Sequence, residues 1–167
     1  MELNGIIHTF TNQLKLFLAA FIIVLSIGFY TGLLFVSETS SGDPQGIEKN
    51  YLGNEDDESA EVMKFKKGSR EMLTIVHTHV LSMSFIFFLI GGVLLTTSLP
   101  NKLKTFLLIE PFFSVLLTFG GIYLLWLGYS WTKYLVIISG TFMTLSFTAA
   151  ALIILYQLFF LPNKSLE

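Results

Sequence analysis

The sequence predicts an all-α membrane protein, a four-helix transmembrane bundle, and three observations carry that expectation. Of 167 residues, 53% are hydrophobic and only 13% charged, about half the ~25% charged fraction of an ordinary soluble domain. The charges are gathered in one place, with 14 of the 22 falling between positions 38 and 71. The rest of the chain holds four apolar stretches. Each is long enough, at ~1.5 Å per helical residue, to cross a ~30 Å hydrocarbon core.

Residues 1–13 are mixed and mildly amphipathic, and read as an interfacial lead-in to the first span at about 14–36. That apolar run is too long for the core of a secretory signal, Lys15 is its only flanking base, and no small-residue cleavage site follows. It therefore reads as a retained span. Within it Gly28 and Gly32 form a G-x-x-x-G pair, two notches on one helix face. They suit helix packing, either against another helix of this chain or across a dimer.

Residues 37–71 form the long extramembrane loop. It opens with Ser, Thr, Gly, Asp and Pro, as turns do, then carries an acidic cluster (Glu55, Asp56, Asp57, Glu58, Glu61) and a basic one (Lys64, Lys66, Lys67, Arg70). The alternating oxygen ligands and central glycine of a calcium loop are missing, so a solvated, self-neutralising loop is the expectation.

The second span covers about 72–97 and ends at Ser98-Leu99-Pro100-Asn101, a connection short enough to make spans two and three antiparallel neighbours. The third lies within 105–127. The fourth covers about 134–160, with Pro162 beyond it. Trp126, Tyr129, Trp131 and Tyr134 cluster at the third-to-fourth turn, as aromatic residues do at a membrane interface. That turn lies on the side of the acidic loop, so the two are expected to share one face. Basic residues are split between the sides, with Lys15, Lys102, Lys104 and Lys164 on one and Lys49, Lys64, Lys66, Lys67, Arg70 and Lys133 on the other. Residue counting favours a cytoplasmic loop. The usual arrangement of four spans favours termini inside, which is the orientation expected here.

Three ionisable side chains fall at membrane depth: His77, His79 and Glu110. Two residues apart on a helix is ~200° around its axis, so His77 and His79 point to nearly opposite sides and cannot chelate one metal together. They read as histidines that hydrogen-bond across helices, as haem or metal ligands serving two different partners, or as proton-handling groups. Glu110 precedes Pro111. It is either an intramembrane proton site or the acid of a helix N-terminus that starts at Pro111, with Glu110 in the headgroup zone.

The run His77-Thr78-His79-Val80-Leu81-Ser82-Met83, followed by Phe85, Phe87, Phe88, Gly91 and Gly92, resembles the haem-ligating helix of haem-copper oxidase subunit I. There H-x-H precedes V-L-S-M and a similar aromatic and glycine run. It is also similar to small bacterial membrane proteins of unknown function that carry an H-T-H-L-type helix. The oxidase resemblance implies haem, with the two histidines ligating on opposite sides of the helix. An oxidase would need further histidines on other helices, and His8 is expected near the opposite side of the membrane. The resemblance therefore implies haem binding without oxidase chemistry, the second ligand being Met72, a tyrosine, water or a symmetry-related histidine.

Other function classes are excluded or weakened. A net charge of −2, with the basic cluster of the loop offset by the acidic one beside it, argues against nucleic acid as a partner. With no cysteine, thiolate metal sites, thiol nucleophiles and disulfides are absent. There is no phosphate loop, no G-x-S-x-G and no H-E-x-x-H, so no catalytic or metal-binding constellation is visible. The sequence reads as a non-catalytic integral membrane subunit or accessory protein of an envelope or respiratory complex, in a bacterial cytoplasmic membrane. Its partners would be the lipid bilayer and other membrane subunits or further copies of itself. The alternatives are a small haem-binding or redox-sensing protein using His77 and His79, and a proton- or ion-translocating protein using Glu110.

Overall fold

A computed structural model of the chain describes residues 3–55, 60 and 62–160. Among the described residues there are five α-helices: α1 (Asn12–Ser40), α2 (Pro44–Leu52), α3 (Ser69–Leu94), α4 (Asn101–Trp126) and α5 (Thr132–Phe159), preceded by a 3₁₀ turn at Ile6–Thr9. Helices α1, α3, α4 and α5 are long and apolar enough to cross a membrane. They are four in number, as the sequence led one to expect, and each overlaps one of the expected stretches.

The bundle is built around α4 and α5. Of the most apolar stretch of each helix, 44% is buried in α4 and 39% in α5, against 17% in α1 and 11% in α3. The reason is in the spacing. On α4, Leu107, Pro111, Ser114, Thr118, Gly121 and Leu125 are buried at alternating intervals of four and three; Thr132, Val136, Ser139, Met143, Ser146 and Ala150 repeat the pattern on α5. This is a heptad-type seam whose knobs are largely small or hydroxylated, as close helix packing in lipid favours. At its end a Cβ on Gly121 would sit 3.0 Å from a methyl of Val136, so the two backbones approach closely there. Phe147 links the seam to the outer helices: it stacks on Phe29 of α1 at 3.9 Å between centroids and meets Phe87 of α3 edge-on.

Polar contacts close the end of the bundle at the α3–α4 turn. Where the N-terminal segment meets the α3–α4 turn, Lys104 Nζ donates to Asn4 Oδ1 (2.6 Å) and to the carbonyls of Thr97 (2.6 Å) and Leu95 (3.1 Å). Gln157 of α5 both accepts from and donates to the backbone of Ser98. These bonds satisfy carbonyls that the end of α3 leaves without helical partners.

Two expectations need correction. The Gly28–Gly32 notch does not pack within the chain: both residues are exposed, and a Cβ added at either meets nothing within 4 Å. Phe29 and its neighbours on the adjacent face are what dock α1 instead. Residues 37–71 are also more than a solvated loop. Asp43 accepts from Gly46 N–H as the N-cap of α2, Pro44 follows it, and Ile47 is buried against the bundle. Of the acidic cluster, Asp56, Asp57, Glu58 and Glu61 lie outside the described residues, and so does Lys164.

Candidate functional site

Two places at membrane depth hold ionisable side chains, and the fold keeps them apart.

The first is Glu110. Pro111 does not start a helix. Helix α4 begins ten residues earlier at Asn101, with Pro100 as its N-cap, and Pro111 is buried inside it. The reading of Glu110 as a headgroup-zone helix cap is therefore wrong, because Pro100 supplies the break and the helix continues through Pro111. A buried proline leaves the carbonyl four residues back without its usual donor, which a helix packed among neighbours tolerates. The result places Glu110 about 5 Å along the axis from the middle of α4, well inside a ~30 Å hydrocarbon layer. Its two carboxyl oxygens face the seam. Oε1 accepts from Ser114 Oγ, one turn along α4, and Oε2 accepts from Ser146 Oγ of α5. Two turns further along, Thr118 Oγ1 and Ser139 Oγ pair at 2.7 Å across the same interface.

These two serines differ from most hydroxyls in the bundle. Ser26, Ser40, Ser139, Thr141, Thr144 and Thr148 each donate to a carbonyl of their own helix four residues back, the usual fate of Ser and Thr in helices. Ser114 and Ser146 give their hydrogens to the carboxyl group. The sequence reading missed them both. The available signal was positional: Ser114 lies four residues beyond Glu110, and Ser146 lies seven beyond Ser139, so each falls on a face already marked by a polar residue.

The second place is α3. His77 and His79 are both exposed, at about 7 and 4 Å from the middle of the helix toward the loop side. They diverge as expected. His79 lies against α4, its ring 4.8 Å from that of Phe119, and its Nδ1 is 2.8 Å from the carbonyl oxygen of Ile75. With Nδ1 donating there, Nε2 is the free lone pair. His77 faces away, beside exposed Thr78. Met72 is fully buried and sits two turns before His79, about 10 Å along the axis, so the two cannot ligate one iron. Among the described residues no group of three or more His, Cys, Asp or Glu side chains is placed to hold a metal ion. Nor is Glu110 brought to either histidine: they lie on opposite sides of the bundle's midpoint.

On the loop side a polar clasp fastens α2 over the end of the bundle. Lys133 Nζ donates to Glu48 Oε2 at 2.5 Å, and the Lys133 ammonium, helped by the Ser130 hydroxyl, holds the Glu48 carboxyl below its ordinary value. Trp126 Nε1 donates to the Lys67 carbonyl at 2.8 Å, with Lys66 over its ring. Lys64 Nζ donates to the Thr39 carbonyl at 2.7 Å. The basic cluster thus ties the loop to helix ends. The expected shared face of loop and aromatic turn is formed by these contacts.

A family model described as a transmembrane helical domain, Aq_1264_TM, matches residues 41–165. The chain belongs to that family. The match takes in α2 through α5, and with them His77, His79, Glu110, Ser114 and Ser146; α1 precedes it. No curated protein and no solved structure matches the chain. As a member of the family it is an integral membrane protein, its four long apolar helices seated in a lipid bilayer.

Proposed function

We propose that this domain is a non-catalytic membrane subunit that packs against another membrane protein through the outward face of α3. The observation that carries this reading is His77, an exposed imidazole at hydrocarbon depth with no hydrogen bond to a described residue. An unpaired polar group facing lipid costs several kcal/mol, whereas a neighbouring helix that hydrogen-bonds to it removes that penalty. Thr78, next to His77 on the helix, is exposed as well. Absence of a catalytic constellation in the sequence and the lightly buried outer helices fit a role in assembly. The test is a photo-crosslinking residue introduced at His77 and, for comparison, at exposed Phe35 of α1, in the native membrane. A discrete protein adduct from position 77 and none from position 35 is expected. Adducts with lipid alone at both positions would refute the docking face.

A second reading is favoured by one specific observation, the Nδ1 contact of His79. Metal-ligating histidines are commonly held this way, with one nitrogen donating to a carbonyl and the other presented outward. His79 could thus supply one axial ligand to a haem, and the other would come from the docked partner. A Soret band in protein purified with haem supplied, lost in His79→Ala, supports that reading; a flat spectrum ends it.

A further inference from the structure

We infer that Glu110, Ser114 and Ser146 form a proton-binding site inside the membrane, in which the Glu110 carboxyl carries a proton shared with the two serine hydroxyls. The inference does not depend on the α3 docking face, which lies on another helix.

The argument starts from charge. A carboxylate near the middle of the bilayer needs a compensating cation or a proton, because an isolated charge in a low-dielectric layer is very costly. The hydrogen-bond partners of the carboxyl among the described residues are both neutral hydroxyls. Nor is a cation stationed nearby on the helices packed around it. On α5 the single charged residue is Lys133, thirteen residues from Ser146 and about 20 Å along the axis, engaged with Glu48. On α3, His77 and His79 lie in the opposite half of the membrane, and Arg70 and Glu71 lie in the first turn beyond them. Glu38 of α1 lies near its loop-side end. On α4 itself Lys104 is six residues away and holds Asn4 and the carbonyls of Leu95 and Thr97. The remaining bases on this side, Lys102 on the first turn of α4 and Lys15 on the first turn of α1, sit at the membrane boundary.

The geometry then accommodates the proton. A protonated carboxyl has one O–H to donate and a carbonyl oxygen to accept with, and a serine hydroxyl can do either. Both serines donate to the carboxyl in the structure; with the proton bound, one goes on donating to the carbonyl oxygen while the other turns to accept from the acid, so the trio stays hydrogen-bonded in either state. Neither hydroxyl is committed to its own helix carbonyl, so each is available for that exchange. The site spans α4 and α5, so gain or loss of the proton acts directly on the seam that holds the bundle together.

The test is chemical and uses the unmodified chain. In phosphatidylcholine vesicles the protein is exposed to dicyclohexylcarbodiimide, which partitions into the hydrocarbon and adds to protonated carboxylic acids. The acid's proton goes to one carbodiimide nitrogen and its oxygen to the central carbon, and the adduct rearranges to a stable N-acylurea with no leaving group. Peptide mass mapping is expected to place one adduct on Glu110, with Glu38, Glu48 and Glu71 unmodified. A water-soluble carbodiimide with an added amine should give the reverse pattern. The Glu110 adduct should be lost in Glu110→Gln, a variant expected to elute at the wild-type volume. Absence of a hydrocarbon-phase adduct on Glu110 in the wild-type protein would overturn the proposal, as would equal labelling from water, which would mean an ionised, solvated carboxylate.

Discussion

Removing Ser146 tests the α4–α5 site through stability, and the structure says how large the effect should be. Ser146 is buried and its hydroxyl reaches Glu110 from the opposite helix, so the bond bridges the seam directly. In a double-mutant cycle of Glu110→Ala and Ser146→Ala, the coupling energy isolates that pair from the separate costs of each truncation. Side-chain hydrogen bonds between membrane helices average ~0.6 and reach ~1.7 kcal/mol. Bonds to an ionised group are worth about 1.5–3 kcal/mol. A carboxyl that carries a proton should therefore couple to Ser146 by about 0.6–1.7 kcal/mol, and an ionised one by more. Reversible unfolding in mixed dodecylmaltoside and SDS micelles, followed by the fluorescence of Trp126 and Trp131 and by far-UV circular dichroism, measures all four corners of the cycle. A coupling indistinguishable from zero would mean that the two side chains do not meet, and the site would lose its basis. A coupling well above ~2 kcal/mol would contradict the proton-bound carboxyl.

Three other outcomes are expected. In Gly46→Ala the added Cβ would lie 1.8 Å from the Ser40 carbonyl oxygen, so α2 must retreat and expose Ile47, at a cost of about 1.5–3 kcal/mol for an aliphatic side chain returned to water; faster amide exchange across α2, with the four long helices unchanged, is the signature. The lowered Glu48 carboxyl makes the α2 clasp acid-sensitive: its contribution is complete above the ordinary glutamate range and is lost as pH falls through the lower folded value. Exchange in α2 should accordingly rise below that range, and Glu48→Gln should remove the pH dependence. Phe147→Ala should loosen α1 by about 0.5–1.5 kcal/mol for each of its two ring contacts there, with Phe29 and Tyr30. Little transfer energy is added, because lipid is as apolar as the core; α1 protease sensitivity in detergent reads the change.

Hydropathy and length by themselves determined the fold class and the four spans, because a bilayer admits few structures other than helices whose backbone bonds close internally. The divergence of His77 and His79 was likewise legible, since helical period alone decides it. Helix α2 was not. Nine residues of low mean hydropathy give no membrane signal, and the Asp43-Pro44 start reads equally well as a turn until Ile47 is seen buried. The role of Gly28 and Gly32 also lay beyond local pattern, because a notch is a packing site only when a neighbour fills it, and Phe29 turns a different face of α1 inward. Glu110 shows the limit most sharply. One acid followed by proline supports both a helix start and a mid-helix carboxyl, and only tertiary structure chose between them. It did so by extending α4 back to Asn101 and bringing Ser146, thirty-six residues away in the chain, onto the same carboxyl group.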